Sequence, residues 1–380
     1  MRFLGEPHIT SLTSLTLLII IATMDSTHES PAASPSSGSL RRPSHSHRGD
    51  KVIFCCPEFD ELARELCAMD KQFLQGKITW GSFEDGFPNI NIHDWANHLR
   101  GKHVVFLASF MLEHSETAIF DQLSVMYSIP KYLTKSLTIL LPYFPTGTME
   151  RIEQEGQIAT AKTLAQILSA TPECHGTGPA QIVMFDIHAL QERFYFSDNI
   201  IPVLLTAIPL FLDAIRHEKD VAIAFPDEGA RKRFGRMFDG KYPLIVCSKV
   251  RQGDKGRVVR IAEGEARGMK VFIVDDLVKT GGTLLQCKKA LLEAGAASVS
   301  AFVTHGVFPQ ESWKRFVPSS EGGDEGEGHA DQGFKVFYVT NSCPQMARIL
   351  SSKRPFRVLS LAPALYDFLR SEESTKHFGG

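Results

Sequence analysis

The stretch "KVFIVDDLVKTGGTLL", Lys270 to Leu285, decides how this chain folds. Val271 to Val274 form a short, unbroken apolar run of the kind buried on both faces in a parallel sheet. Two aspartates, Asp275 and Asp276, then stand side by side. Thr280 to Thr283 set two glycines between two hydroxyls, and an apolar, helix-like run follows. Strand, glycine turn and helix in that order make one unit of an open α/β sheet. In such sheets ligands bind beyond the carboxyl ends of the strands.

The same rhythm extends in both directions. "KVIFCC" (51–56), "HVVFLAS" (103–109), "LTILLPY" (137–143) and "QIVMFDIH" (181–188) form one series of apolar runs. "VAIAFPD" (221–227), "PLIVCSK" (243–249), "KVFIVDD" (270–276), "VSAFVTHG" (299–306), "FKVFYVTNS" (334–342) and "FRVLSLAP" (356–363) form a second. Helix-like stretches separate them: "ELARELCAMDKQFL", "TMERIEQEGQIATAKTLAQILSA" and "TLLQCKKALLEAGA", the last running into a glycine stop. The pattern predicts two similar doubly wound, parallel-sheet α/β domains, at 51–200 and 201–375, with a seam near 198–205. An acidic, glycine-rich insertion at 319–333 reads as a solvated surface loop.

Length and charge narrow the partners. The 380 residues suit two domains of ordinary size. Lysine and arginine total 41 against 43 acidic residues, a net of −2, so no basic field points to nucleic acid. The seven cysteines are irregularly spaced and contain no CxxC, which argues against a disulfide framework or zinc site and for a reducing compartment.

Residues 1–50 stand apart. "SLTSLTLLIIIA", Ser11 to Ala22, is shorter than the about 20 apolar residues a membrane span needs. It resembles a signal h-region, with Arg2 the only lysine or arginine before it. The Ser-, Pro- and Arg-rich stretch after it cannot bury a core and is expected to be disordered. The extension is either a targeting peptide or an over-extended start, with the true one at Met24. The remaining chain contains no membrane segment. The expected location is the cytoplasm, with a plastid or other organelle as the alternative through the extension.

Several predicted strands end in polar residues: Asp186 and His188, Asp227, Lys249, Asp275 and Asp276, and His305. One such residue alone is an ordinary solvated edge; five such edges together mark a site. "GRMFDGKY" (Gly235 to Tyr242) has the glycine and lysine spacing of a Walker loop but ends in tyrosine, which cannot serve Mg²⁺ as serine or threonine would. No GxGxxG follows the first strand. The loop after Asp276 is more specific. Backbone N–H groups turned inward at a helix start suit a phosphate monoester. Carboxylates four and five residues before Thr280 lie about one sugar length away and accept hydrogen bonds from vicinal hydroxyls. The stretch reads as a ribose 5-phosphate clamp.

That clamp resembles the PRPP-binding signature shared by phosphoribosyltransferases and phosphoribosyl pyrophosphate synthetases (ribose-phosphate diphosphokinases). Further strings resemble the synthetases: "FDIHALQERFYFSD" with its Asp-x-His pair, "AFPDEGARKRF" with its Pro-Asp-x-Gly turn, and "CSKVRQGDKGRVVRI" with Lys-x-Arg at its start. "YFPTGTMER" and "VTHGVFP" are similar to strings of the class II, plant-type enzymes. The resemblance covers Lys51 to Arg370.

It implies transfer of diphosphate from ATP to the anomeric hydroxyl of ribose 5-phosphate, giving PRPP and AMP, with Mg²⁺ as cofactor and a homo-oligomeric assembly. It further implies that Lys249 and Arg251 are catalytic, that His188 and Asp227 contact Mg²⁺ with help from Asp186, and that Asp275, Asp276, Lys279, Thr280, Gly281, Gly282 and Thr283 bind ribose 5-phosphate. "SFEDGFPN" would bring Phe83 and Asp85 to the adenine of a neighbouring subunit. Thr148 and Met149 replace an Arg-Gln pair of the class I enzymes, and Lys279 replaces an acid, which implies weaker nucleotide discrimination and no requirement for inorganic phosphate. A phosphoribosyltransferase or a non-catalytic regulatory subunit are the rival readings; the first does not need Asp186-x-His188 or Lys249-x-Arg251, and the second tends to lose loop residues kept here.

Overall fold

A computed structural model describes residues 50–111, 118–146, 149–251, 257–317 and 333–376. The extension up to residue 49, Thr148, residues 252–256 of the basic run after Lys249, the side chain of Arg251 and nearly all of the acidic insertion lie outside the described residues.

The first half alternates strand and helix. It runs β1 (Lys51–Cys55), α1 (Asp60–Met69), β2 (Phe73–Gln75), β3 (Ile78–Thr79), β4 (Asn91–Ile92), α2 (Trp95–His98), β5 (His103–Leu107), α3 (Ala118–Ser128), β6 (Ser136–Leu140), α4 (Thr160–Ser169), β7 (Ala180–Phe185) and β8 (Ile200–Leu205). Six of these strands form a sheet in the order β2-β1-β5-β6-β7-β8, and every pairing is parallel. Strands β3 and β4 pair separately as an antiparallel hairpin. Apolar runs such as Val52–Phe54 and Val104–Leu107 are fully buried, as strands covered by helices on both faces require.

The second half begins with α5 (Ile208–Ile215) and continues through β9 (Val221–Phe225), α6 (Glu228–Phe234), β10 (Leu244–Arg251), β11 (Arg257–Glu263), β12 (Lys270–Val278), α7 (Gly282–Glu293), β13 (Ser298–Gly306), β14 (Phe337–Thr340), α8 (Pro344–Leu350), β15 (Phe356–Leu359) and α9 (Ala362–Lys376). Its seven strands lie in the order β11-β10-β9-β12-β13-β14-β15. All pairings are parallel except β10 with β11, which is antiparallel.

Several expectations change. The basic run after Lys249 is not only a loop: Arg257–Glu263 returns as a strand against β10, so Lys249 sits on a two-stranded ribbon opposite Val259. The helix read through "ELARELCAMDKQFL" stops at Met69, and Phe73–Gln75 instead adds an edge strand beside β1. The acidic opening of "TMERIEQEGQIATAKTLAQILSA" is a series of turns, and the helix starts only at Thr160. Gly156 has φ of 89°, a left-handed backbone that interrupts any helix before it. Ile200–Leu205, read as a seam, is the outer strand of the first sheet.

The two halves share a core. Ile53, Leu107 and Phe185 of the first sheet pack in one buried cluster with Phe225, Phe272 and Phe302 of the second. Phe211 on α5 lies at its centre, stacked on Phe302 with ring centroids 4.6 Å apart and edge-on to Phe272 at 5.6 Å. The chain end returns to its beginning: Lys51 Nζ donates to the Leu369 carbonyl of α9 at 2.6 Å. Arg370 pairs with Asp70 at 3.3 Å beside α1.

Phe211→Ala should therefore empty a site that both sheets line. The expected loss is roughly 3–5 kcal/mol, read as a lower urea midpoint in a single transition. A loss below about 1 kcal/mol would mean that the surroundings collapse into the space, which a close-packed core resists.

Candidate active site

The carboxyl edges of the two sheets meet. Strand β7 ends at Phe185, which delivers Asp186 and His188. Strand β9 ends at Phe225 and delivers Asp227; β12 carries Asp275 and Asp276; β13 carries Thr304 and His305.

Asp276 is the centre. It is buried, and its Oδ2 lies 2.6 Å from His188 Nδ1 and 2.7 Å from Arg233 Nη1. The Arg233 contact is an ion pair whose Nη1–H groups do not point at the carboxylate. Burial opposes ionisation of Asp276, but the His188 hydrogen bond and the Arg233 guanidinium prevail and hold its carboxyl below the usual range. The same bond raises His188 against the opposing effect of burial. His188 is the solvent-facing member, with 35% of its side chain exposed against 3% for Asp276. A histidine that gives Nδ1–H to a carboxylate keeps Nε2 for another partner, the usual arrangement behind a metal-bound imidazole.

Asp275 lies beside this group and accepts the Asp276 N–H on Oδ1 at 3.0 Å. Burial, then the charge on Asp276, pushes Asp275 well above the usual carboxylate range, and Asp227 acts in the same direction. Asp227 caps α6: its Oδ1 accepts Ala230 N–H at 3.0 Å.

Asp186, expected to assist at the metal, is tied into the fold through one of its oxygens. It is buried with φ of 35°, and its Oδ2 accepts both the Ala207 N–H at 2.9 Å and the Thr304 hydroxyl at 2.5 Å. It joins β7 of one half to β13 of the other. His305 reinforces the joint. Its Nε2 faces the Phe185 carbonyl at 2.9 Å, so that nitrogen carries the proton, and Nδ1 lies 2.8 Å from the Ser342 hydroxyl. Burial lowers His305 to about 4, so the ring is neutral at ordinary pH. Tyr143 packs on it with ring centroids 5.0 Å apart. "YFPTGTMER" and "VTHGVFP", distant in sequence, thus touch in space.

The loop Lys279–Thr283 follows β12. Gly281, with φ of 72°, is the N-cap of α7, and a Cβ there would come within 2.1 Å of the Phe316 ring. A Cβ on Gly282 would meet nothing within 4 Å. The loop backbone is therefore backed by Phe316 at Gly281 and open at Gly282, where a phosphate could approach the N–H groups at the helix start.

The remaining expected residues are not in this group. Lys249 is exposed on the ribbon, and no contact joins it to His188, Asp276 or Arg233 among the described residues. Only the backbone of Arg251 is described, at the end of β10. Phe83 and Asp85 lie on the turn between β3 and β4. Phe83 is 56% exposed, and Asp85 accepts the Phe87 N–H at 3.1 Å. Met149 is exposed, and its N–H donates to the Thr146 carbonyl at 2.6 Å.

Two residues of the site were not singled out from sequence. Arg233 lies in a run of three basic residues, "RKR". Ala230 and Phe234 form the buried face of α6, and a residue three after Ala230 shares that face, so helical spacing carried the signal. Glu192 carried none. Its Oε1 accepts the Ala189 N–H at 3.0 Å in the turn after His188, while Oε2 is buried without a partner. Burial pushes its carboxyl up to about 7, with Glu150 and Asp276 adding to the rise.

The linkage for Glu192 has a definite sign. A carboxyl raised on folding binds its proton more tightly in the folded state, so this group opposes folding increasingly as pH climbs from about 4.5 to about 7. Glu192→Gln keeps an acceptor for Ala189 N–H and removes the charge. The variant should match wild type in stability below about pH 4 and gain up to roughly 3 kcal/mol above pH 7. Equal pH–stability curves for the two proteins would show that Glu192 ionises freely in the fold.

Residues 51–171 match the family model described as the N-terminal domain of ribose phosphate pyrophosphokinase, and residues 206–319 match the phosphoribosyl transferase domain. The chain is 48% identical over 321 residues to ribose-phosphate pyrophosphokinase 4 of Arabidopsis thaliana, covering 84% of this chain and 91% of that relative. It is 49% identical over 314 residues to the chloroplastic ribose-phosphate pyrophosphokinase 3 of Oryza sativa subsp. japonica, covering 82% and 74%. The crystal structure of phosphoribosylpyrophosphate synthetase from Mycobacterium smegmatis shares the fold, with a TM-score of 0.69 at 23% identity over 86% of this chain and 99% of that one. Two family models in order, and near half identity over most of the length, make this chain a member of the ribose-phosphate pyrophosphokinases, with the ribose-phosphate diphosphokinase activity and plant-type character of that group.

Proposed function

We propose that the group around Asp276 is where ATP and ribose 5-phosphate meet, and that the loop after it holds the sugar phosphate. The observation that carries this is the bond from His188 to Asp276, which ties the Asp-x-His edge of the first half directly to the acid pair that precedes the glycine loop.

In this reading the Lys279–Thr283 loop takes the 5-phosphate on backbone N–H groups and the two threonine hydroxyls. Asp275 and Asp276 take sugar hydroxyls. Asp276 Oδ2 is shared by His188 and Arg233, so Asp275 and the other Asp276 oxygen accept them. The anomeric hydroxyl then attacks the β-phosphorus in line and AMP leaves, a step that depends chiefly on positioning and charge stabilisation.

A carboxylate with a free oxygen at this edge fits Mg²⁺, which usually arrives on substrate phosphates and takes only one or two protein carboxylates. Asp227, with one oxygen outside its cap, and His188 through Nε2 would hold it; Asp186 Oδ2 is already committed. When bound, Mg²⁺ would neutralise charge on the ATP phosphates. Lys249 and Arg251 would act on the developing charge from the ribbon, and Lys249, being exposed and unpaired in any described contact, is able to swing inward. Phe83 and Asp85, exposed on their hairpin, would serve the adenine of a second copy in a homo-oligomer.

AMP release from ATP and ribose 5-phosphate without any nucleobase tests these roles together. Lys249→Ala should keep its melting temperature and lose at least about a thousandfold in turnover. Asp275→Ala should raise KM for ribose 5-phosphate roughly three- to tenfold through loss of hydrogen bonds to the sugar hydroxyls. A folded Lys249→Ala enzyme within tenfold of wild type would sink the catalytic assignment, and an unchanged KM in Asp275→Ala the sugar assignment.

We also propose a plastid location. The support is the serine-rich composition of residues 1–50 and the chloroplastic relative. A carboxyl-terminal fluorescent fusion of the full chain should accumulate in plastids, and one lacking residues 1–50 should not. Full-length fluorescence spread through the cytosol would reject this.

A further inference from the structure

After β13 the chain passes behind the glycine loop as a 3₁₀ segment, Pro309–Phe316. Phe308, Gln310 and Glu311, at its start, have φ of 41°, 53° and 56°. Side-chain-bearing residues keep such left-handed backbone only where the surroundings over-determine it. Here aromatic packing does so. Phe308 and Phe316 are buried edge to face at 5.6 Å, and Phe316 stacks on Phe337 at 5.1 Å. The polar side of the segment reaches the loop. Ser312 Oγ donates to the Lys279 carbonyl at 2.8 Å, and Arg315 Nη1 donates to the Thr280 carbonyl at 2.7 Å.

These are consecutive carbonyls. In a trans peptide the C=O and the following N–H point to opposite sides of the chain. Holding the Lys279 and Thr280 carbonyls against the segment therefore turns the N–H groups of Thr280 and Gly281 away from it, toward the open side of the loop. Phe316, packed where a Gly281 Cβ would stand, fixes the third point.

We propose that Ser312 and Arg315 are positioning residues for ribose 5-phosphate, holding two successive carbonyls of the loop so that the next two N–H groups face the phosphate. The inference rests on the loop being the phosphate site. Neither residue touches the sugar phosphate in this scheme; both act through the peptide planes.

The test compares KM for ribose 5-phosphate, KM for ATP and kcat, all from AMP release. Ser312→Ala and Arg315→Ala should each raise KM for ribose 5-phosphate about three- to tenfold. KM for ATP and kcat at saturating sugar phosphate should stay within about twofold. Ser312→Thr and Arg315→Lys, which keep a donor, should recover most of the loss. Ser312 carries no charge for an anion. If Arg315→Ala is impaired and Ser312→Ala is not, Arg315 grips the phosphate itself and the positioning role is overturned. Equal rises in both KM values would likewise overturn it, since that is general loosening of the fold. Gly282→Ala supplies the control, because its added methyl has room in the protein but intrudes on the ligand side. If Gly282→Ala raises KM for ribose 5-phosphate and neither latch variant does, the positioning role alone fails. If Gly282→Ala leaves ribose 5-phosphate binding unchanged, the loop assignment fails, and this inference with it.

Discussion

A carboxylate cannot stay charged inside a protein without partners. Asp276 is such a carboxylate, and its partners come from different parts of the molecule. His188 arrives from the first sheet, and Arg233 from the helix that opens on Asp227. Meeting that one demand aligns the edges of two sheets that otherwise touch through non-directional apolar packing. Around it, Asp186 with Thr304 and Ala207, and neutral His305 with Phe185, satisfy the other polar groups closed off between the halves. The resulting seam is specific in register because each of these bonds is directional.

The same arrangement divides the labour of the site. The seam is buried and most of its polar atoms are bonded, which holds its side chains in place. Lys249 stands apart on an exposed ribbon of two strands. Glu192 and Arg233 are exceptions within the wall: the acid is buried beside the histidine with one unpartnered oxygen, and Arg233 Nη1 meets Asp276 without an aligned hydrogen bond. Strain and imperfect satisfaction of this kind concentrate where structure serves chemistry.

The fold was largely legible before any coordinates. Ten apolar runs were read as strands, and each contains a strand of the structure. The strands that were missed had weak local signals. Phe73–Gln75, Ile78–Thr79 and Asn91–Ile92 are too short for a period to appear. Ile200–Leu205 contains a proline, which demotes a run to an edge strand, and an edge is where it lies. Arg257–Glu263 carries a charge at every third residue and pairs with only one neighbour, so nothing in it resembles the buried runs.

By itself, the sequence determined the βα order, the glycine loop after the acid pair, and the family to which both belong, because these depend on local periodicity and on residues adjacent in the chain. What it could not determine was which charges meet. That Asp276 faces His188 across 88 positions while Asp186 faces Thr304 across 118 follows from how two sheets are pressed together. The same holds for the Ser312 and Arg315 contacts with the loop, made across 33 and 35 positions. Such pairings are decided by the desolvation of polar groups at a shared interface, and that interface exists only once the whole chain has folded.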